Sequence, residues 1–140
     1  MPEIQETTRM ERAGKEVGVE LRHNRVQKTL FAELAEAVGP ENVGAEVDSG
    51  SGGRVDVVAR DEGSGLTFYE IKVGRSPGAY IRDAIGQLLE YSLWPGSERP
   101  ERLVVVGEEE IGLMASRYLE RLNSNLSFSV EYRRRKCKSS

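Results

Sequence analysis

The sequence predicts one α/β domain in which a central mixed β-sheet is flanked by helices. Three observations predict this class: an apolar stripe at helical spacing near residues 24–38, three strand-like segments with glycine-rich turns across residues 43–73, and a wholly apolar segment at 103–106 between two amphipathic helices. The chain has 140 residues, a length that suits one domain with its own core and leaves little room for a second.

The first predicted element is a helix over about residues 24–38, where apolar residues recur at helical spacing until a Gly-Pro pair ends the pattern. Residues 1–22 are charged and lack a period, so we interpret them as a flexible or loosely attached leader. Two polar residues, His23 and Gln27, extend the apolar stripe toward the N-terminal end of the helix.

Three strands are predicted next, over residues 43–47, 54–60 and 66–73. The first two are joined by Ser49-Gly50-Ser51-Gly52-Gly53, a sequence that suits a turn between antiparallel strands. A second turn is predicted at residues 61–65.

Two helices and two strands complete the order αβββαβαβ. Residues 79–93 predict a helix that Pro95-Gly96 ends, and residues 103–106 predict a strand buried on both faces. Residues 109–122 predict the last helix and residues 126–132 the last strand.

The composition is that of an ordinary soluble globular protein, with 38% hydrophobic and 31% charged residues and a net charge of −3. It has neither an apolar run long enough to span a membrane nor a signal-peptide core, so a cytoplasmic protein without a membrane partner is expected. The single cysteine, Cys137, cannot form an internal disulfide and is a poor metal ligand alone. The basic tail, residues 133–140, predicts either contact with phosphate backbones or a solvated end.

Three residues on two predicted strands indicate chemistry. Because side chains alternate along a strand, Glu70 and Lys72 share one face, and Asp56 approaches Glu70 if the two strands pair in antiparallel fashion. Two close carboxylates repel unless a proton or cation lies between them, and a hard divalent ion such as Mg²⁺ accepts their oxygen atoms. A Glu-x-Lys pair is also common as a simple surface ion pair, but the Gly-Gly-Arg-Val-Asp segment before it and the amphipathic helix after it favour a site.

This pattern resembles the PD-(D/E)XK nuclease superfamily over roughly residues 23–107. Its members share an αβββαβ restriction-endonuclease-like core with Asp on the second strand and Glu-x-Lys on the third, which match Arg54-Val55-Asp56-Val57-Val58 and Glu70-Ile71-Lys72 here. The RecB-type group adds Gln-x-x-x-Tyr on the following helix, which matches Gln87-Leu88-Leu89-Glu90-Tyr91. The nuclease-like domain is therefore expected at residues 23–132.

The helix with the Gln-x-x-x-Tyr match has a consistent pattern of its own. Tyr80, Ala84, Gln87 and Tyr91 share one face, and an adjacent apolar face is suited to packing on the sheet. Gly86 is expected to permit close approach of this helix to its neighbour. An ordinary polar helix edge is the alternative interpretation of Gln87 and Tyr91.

The resemblance implies a metal site and a catalytic lysine. Asp56, Glu70 and the Ile71 carbonyl would bind Mg²⁺ or Mn²⁺, and the ion would polarise a phosphate oxygen and lower the pKa of a bound water. Lys72 would orient the attacking hydroxide and offset the charge that builds up on the phosphate in the transition state.

The resemblance also implies a DNA substrate. Gln87 and Tyr91 would hold the substrate phosphate or the catalytic lysine, and Arg75 and Arg82 would contact the DNA backbone without reading its sequence, unless they are plain surface charges. Small nucleases of this kind often dimerise, so a homodimer is one state that the resemblance allows.

The first helix departs from the family pattern. Many members place a Glu there, whereas this chain offers His23 and Gln27, either of which could contact a metal-bound water or the substrate phosphate. Glu33, Glu36 and Glu46 are the other acidic candidates, and the first two have the pattern of solvated positions. The missing Glu leaves open a binding module of the same fold without catalysis, and an incidental Glu-x-Lys in a small interaction protein is a third reading.

Overall fold

The structure follows the predicted order of elements. The computed structural model describes residues 2–61 and 65–136. Its helices and strands are α1 (Pro2–Val38), β1 (Val43–Asp48), β2 (Arg54–Arg60), β3 (Leu66–Ile71), α2 (Pro77–Leu93), β4 (Arg102–Gly107), α3 (Leu113–Asn125) and β5 (Ser129–Arg134). A short 3₁₀ helix, Pro40–Asn42, joins α1 to β1. The order αβββαβαβ is therefore confirmed.

The start of α1 differs most from the sequence prediction. The helix begins at Pro2 instead of near residue 24, and residues 9–17 within it are exposed. A helical segment that is exposed on all sides has no apolar stripe, so hydrophobic periodicity does not reveal it. Its Glu, Arg, Lys and Ala residues nevertheless favour the helix by propensity. The division into a leader, a domain and a tail stays a prediction.

Two later helices begin at residues with clear local signals. Helix α2 begins at Pro77, slightly earlier than predicted, because the Ser76 side chain accepts a hydrogen bond from the Ala79 amide at 3.4 Å. Helix α3 begins at Leu113, later than the predicted residue 109. Gly112 precedes it with a φ of 77°, a conformation that separates the helix from the preceding loop.

The five strands form one sheet in the order β1-β2-β3-β4-β5. Strands β1, β2 and β3 pair in antiparallel fashion, whereas β3-β4 and β4-β5 are parallel pairs. The predicted mixed sheet is confirmed. Because β3 and β4 run parallel, the carboxyl end of β3 lies beside that of β4.

Helices cover the sheet on both faces. Helix α1 packs Val26 and Leu30 on one face, against the strand residues Val57, Tyr69, Val104 and others. Helix α2 packs on the opposite face, in a cluster that contains Tyr80, Ala84, Leu88, Phe68, Leu103 and Val105. The predicted double burial of β4 is confirmed, since all four residues from Leu103 to Val106 are 0% exposed.

The predicted role of Gly86 is wrong. A Cβ atom built on Gly86 would meet nothing within 4 Å, so no neighbouring element requires a glycine there. Residue 86 lies on the exposed side of α2. Helix α2 contacts the sheet through buried tyrosine, alanine and leucine side chains.

Some predictions concern segments outside the described residues. These are Glu62-Gly63-Ser64 of the second predicted turn and, in the tail, Cys137 and Lys138. Within the described part of the chain, no helix combines the length and the apolar character that crossing a membrane requires.

Candidate active site

Side chains from four elements line a cavity of about 310 Å³ at the carboxyl end of β3. The cavity brings together six of the residues predicted for the site: His23 from α1, Asp56 from β2, Glu70 and Ile71 from β3, Lys72 directly after β3, and Gln87 from α2. Carboxylates, an amine, an imidazole and an amide therefore meet in one place.

Asp56 occupies an interruption in the strand pairing. The β1-β2 register runs from Ala45↔Val57 to Val47↔Val55 and passes over Asp56. The β2-β3 register begins at Val57↔Tyr69. Neither ladder therefore pairs Asp56 with another described residue, and its backbone groups must find other partners.

The two strands exchange backbone-to-carboxylate hydrogen bonds at this interruption. The Ile71 amide donates to Asp56 Oδ2 at 2.8 Å, and the Asp56 amide donates to Glu70 Oε1 at a longer 3.4 Å. Each carboxylate is thus held by the backbone of the opposite strand. The sequence prediction that Asp56 and Glu70 converge is consistent with this geometry.

Glu70 is a buried acid whose pKa is strongly raised. Its residue is 3% exposed, and burial, followed by the charge of Asp56, raises the pKa of Glu70 from 4.5 to about 8. Lys72 lowers that pKa only in part, because its Nζ lies 3.9 Å from Glu70 Oε2. The protein therefore favours the protonated, neutral form of Glu70 near pH 7 when no cation is bound.

His23 contacts the carboxylate of Asp56 directly. Its Nε2 lies 3.1 Å from Asp56 Oδ2, and this hydrogen bond is the main cause that raises the pKa of His23, against the opposing effect of burial. A protonated His23 donates to the carboxylate and neutralises part of its charge. The structure thus places His23 of α1 in the cavity, beside Asp56.

Gln27 reaches the backbone of Asp56 instead of its carboxylate. The Nε2 atom of Gln27 donates to the Asp56 carbonyl at 2.8 Å and to Glu46 Oε1 at 3.0 Å. Gln27 and Glu46 do not line the cavity. Glu33, another acidic candidate, accepts a hydrogen bond from Arg135 Nε at 2.8 Å.

Lys72 is oriented by the predicted glutamine. Its Nζ donates to Gln87 Oε1 at 2.6 Å, and its backbone amide donates to the Val106 carbonyl of β4 at 2.9 Å. The side chain is 24% exposed and therefore retains access to solvent. A partly exposed ammonium near the Glu70 carboxylate is suited to donate to a water molecule or to a phosphate oxygen.

Tyr91 does not line the cavity that contains Asp56 and Glu70. It is 5% exposed and lines a second, more apolar cavity of about 250 Å³ together with Val55 and Phe68. Burial, and then the charge of Glu70, raises the pKa of Tyr91 above its usual value of 10. Among the described contacts, Lys72 donates a hydrogen bond to Gln87 and none to Tyr91. The predicted contact of Tyr91 with the substrate phosphate or with Lys72 therefore stays a prediction.

Gly53 explains why the turn before β2 needs a glycine. A Cβ atom at Gly53 would lie 2.7 Å from Tyr91 Cε1 and 2.9 Å from its hydroxyl oxygen. Such distances are too short for real atoms, so the ring of Tyr91 and the backbone of the turn fit each other closely. The Gly-Gly-Arg-Val-Asp segment therefore has a packing role as well as a turn role.

Substitution Gly53→Ala is expected to lower the free energy of unfolding by about 1–3 kcal/mol, because the added methyl group displaces the Tyr91 ring. Urea denaturation of both proteins measures the change. Gly86→Ala is the matched control: its methyl group meets open space on a helix, so stability should rise by about 0.5–1 kcal/mol. Equal effects of the two substitutions would contradict the packing role.

The two predicted DNA-contacting arginines share one acidic partner. Arg75 Nη1 lies 2.6 Å from one carboxylate oxygen of Asp83, and Arg82 Nε lies 3.4 Å from the other. Both arginines are more than half exposed, and neither lines the cavity. Their contact with DNA stays a prediction.

The described arginines of the tail contact the protein itself. Arg133 stacks over the ring of Tyr69, Arg134 pairs with Glu110 at 3.3 Å, and Arg135 pairs with Glu33 at 2.8 Å. These contacts satisfy part of the positive charge that the sequence offered for phosphate binding. Contact between the tail and DNA stays a prediction, now with competing partners.

Val19 is a wall residue that the sequence interpretation missed. It lines the cavity and packs against the core on the α1 side of the sheet. A Cβ atom at Gly74, in the loop after Lys72, would lie 2.9 Å from Val19 Cγ2. The signal was present, because Val19 precedes His23 by four residues and Val26 by seven, the spacing of a single helix face.

The donor atoms of the cavity fit a hard divalent cation in type. Asp56 and Glu70 offer carboxylate oxygens, and the hydrogen bond from the Ile71 amide to Asp56 brings the Ile71 backbone beside them. Burial, and then the charge of Asp56, disfavours the ionised form of Glu70, and a bound cation would favour that form. The described residues contain no group of three or more His, Cys, Asp or Glu side chains arranged around one metal position, so the remaining ligands would be backbone and water.

Comparison with known proteins gave no relative. No protein-family model matches the chain, and neither a curated protein nor a solved structure matches it significantly. The geometry of the cavity and the sequence motif are therefore the grounds for a functional assignment.

Proposed function

We propose that this protein is a Mg²⁺- or Mn²⁺-dependent DNA nuclease with a restriction-endonuclease-like fold. The observation that carries the proposal is the convergence of Asp56, Glu70 and Lys72 on one cavity. The antiparallel β1-β2-β3 segment followed by parallel β4 agrees with the αβββαβ core of the PD-(D/E)XK superfamily, which the sequence motif resembles.

Asp56, Glu70 and the Ile71 carbonyl would hold the metal ion. A bound Mg²⁺ or Mn²⁺ supplies Lewis-acid polarisation of the phosphate and lowers the pKa of a coordinated water. Glu70 must be ionised to bind it, and the protein opposes this ionisation by burial and by the charge of Asp56. Metal binding and proton release from Glu70 are therefore coupled.

Lys72 carries the remaining chemistry of phosphodiester hydrolysis. Its ammonium group would donate to the attacking water and to a non-bridging phosphate oxygen, where negative charge increases in the transition state. The 2.6 Å hydrogen bond to Gln87 fixes the side chain at the cavity. His23 would keep the Asp56 carboxylate oriented through its 3.1 Å contact.

A second candidate function is a nucleic-acid-binding module of the same fold in which catalysis is impaired. The observation in its favour is that His23 contacts Asp56 where a carboxylate would add a third acidic ligand. A module of this kind would bind DNA without cutting it. Measurements of cleavage and of DNA binding on the same sample separate the two candidates.

Incubation with linear, circular and single-stranded DNA in the presence of Mn²⁺ tests the proposed function. The wild-type protein is expected to cleave at least one of these substrates, to stop on addition of EDTA, and to lose activity on Asp56→Ala. Glu120→Gln is the matched control, since Glu120 is an exposed carboxylate on α3, which contributes no residue to the cavity. DNA binding without cleavage would favour the binding module, and neither activity would contradict both candidates.

A further inference from the structure

We infer that Gln27 is a positioning residue for Asp56 and that Glu46 orients Gln27. The inference rests on the proposed function, because it gives Gln27 an effect on metal binding through the Asp56 carboxylate. Gln27 itself does not line the cavity, and its hydrogen bond to Asp56 goes to the backbone carbonyl of that residue.

The backbone of Asp56 needs a hydrogen-bond partner outside the sheet because the pairing of β2 with β1 and with β3 is interrupted at this residue. The register passes over it on the β1 side and stops at Val57↔Tyr69 on the β3 side. Its carbonyl accepts a hydrogen bond from Gln27 Nε2 at 2.8 Å, which takes the place of a strand amide. A side chain of α1 thus completes the hydrogen bonding of a strand residue in the sheet.

The backbone of β1 is distorted at Glu46, which accepts the second hydrogen bond of the Gln27 amide. Glu46 has a φ of 52°, and it is the non-glycine residue with a positive φ in the described part of the chain. Close by, a Cβ atom at Gly44 would lie 2.9 Å from Val47 Cγ2, so the strand bends sharply between these residues. A left-handed conformation is unfavourable for glutamate and persists only where the surroundings require it.

The bend brings the Glu46 carboxylate to the amide of Gln27, at 3.0 Å. The amide nitrogen of Gln27 has two hydrogens, and it makes one contact with Glu46 and one with the Asp56 carbonyl. With both donors engaged, the amide has one orientation, and the Asp56 peptide is fixed relative to α1. The direction of the Asp56 side chain, and so its distance from Glu70, follows from this backbone position.

Removal of the Gln27 amide would therefore affect the proposed metal site indirectly, through the backbone of Asp56. The Asp56 carbonyl would lose its hydrogen-bond donor, and the backbone would rotate toward another partner. Loss of a residue that supports a metal ligand typically weakens metal affinity by about 10- to 100-fold. The expected effect lies in this range although Gln27 supplies no ligand atom.

Mn²⁺ titration of Gln27→Met and of a matched control, followed by calorimetry, tests the inference. Methionine has nearly the volume of glutamine but no amide hydrogens. Asn42→Ala is the control: Asn42 Nδ2 donates to the Val38 carbonyl at 2.7 Å, so this variant also loses a side-chain-to-backbone hydrogen bond, away from Asp56. Glu46→Ala, a substitution at an exposed position, is the second variant.

The expected result is a loss of Mn²⁺ affinity of about tenfold or more for Gln27→Met, a smaller loss for Glu46→Ala, and a change within about twofold for Asn42→Ala. Wild-type affinity in a folded Gln27→Met protein would overturn the positioning role. If Gln27→Met does not fold, Glu46→Ala decides, and unchanged affinity there overturns the role of Glu46 and of the contact. Failure of the wild type to bind Mn²⁺ would instead overturn the proposed function and this inference with it.

Discussion

Lys72→Ala is expected to lower the rate of DNA cleavage by about 10²- to 10³-fold, the usual cost of removing one group that stabilises transition-state charge. The ammonium of Lys72 reaches the cavity, is fixed by Gln87 at 2.6 Å and keeps 24% of its side-chain surface exposed. Alanine removes the charge and the donor while it leaves the backbone hydrogen bond to Val106 in place. Single-turnover cleavage at saturating Mn²⁺ measures the change in the chemical step.

Metal binding should respond to Lys72→Ala in the opposite direction. The positive charge of Lys72 lies 3.9 Å from Glu70 Oε2 and competes with a divalent cation, so its removal should leave Mn²⁺ affinity unchanged or raise it. Lys28→Ala, at an exposed position on α1, is the control for the loss of one lysine. Cleavage within tenfold of wild type, or a simultaneous loss of Mn²⁺ binding, would contradict the catalytic role of Lys72.

Glu70→Gln is expected to stabilise the metal-free protein at pH 8 by an amount on the order of 2 kcal/mol and to abolish Mn²⁺ binding. The substitution keeps the shape and the oxygen that accepts from the Asp56 amide, and it removes a buried negative charge beside Asp56. A residue that stabilises the fold when neutral and binds metal when charged is typical of a functional site.

The pH dependence of the wild type follows from the direction of the pKa shift of Glu70. Its folded-state pKa of about 8 exceeds the unfolded value of 4.5, so the folded chain binds more protons between these values. The contribution of Glu70 to stability is therefore complete below about pH 4.5 and is lost as the pH rises through about 8. His23, whose pKa is also raised, acts in the same direction above 6.5.

Urea denaturation in EDTA at several values between pH 5 and pH 8 measures this dependence. The free energy of unfolding of the wild type should fall as the pH rises, and that of Glu70→Gln should fall less, with the remaining slope due to His23. Saturating Mn²⁺ should restore the stability of the wild type at pH 8 and leave the variant unchanged. Parallel pH curves for the two proteins would contradict the account of Glu70.

Local patterns predicted most of the fold. The three strands from residue 43 to residue 71 follow from period-two alternation and glycine-rich turns, and β4 follows from its uninterrupted apolar run. These signals depend on neighbours in the sequence. The early start of α1 was missed because residues 9–17 are exposed and carry no apolar stripe.

The sequence predicted which residues form the candidate site. It did not predict the hydrogen bonds that hold them in place. Strand alternation and the motif indicated that Asp56, Glu70 and Lys72 converge, and the three side chains line one cavity. At the interruption of both ladders, the Asp56 carbonyl accepts a hydrogen bond from Gln27, which lies 29 residues earlier on another element. A contact of this kind has no periodic signature, so only the folded arrangement reveals it.

Calorimetric titration of Mn²⁺ into wild type and Asp56→Ala tests most directly whether the cavity at the end of β3 binds a divalent cation. The account predicts saturable binding by the wild type that disappears in Asp56→Ala, while the Glu120→Gln protein binds normally. Absence of binding by the wild type, or equal binding by Asp56→Ala, would contradict it and leave the buried carboxylates without a cation to explain them.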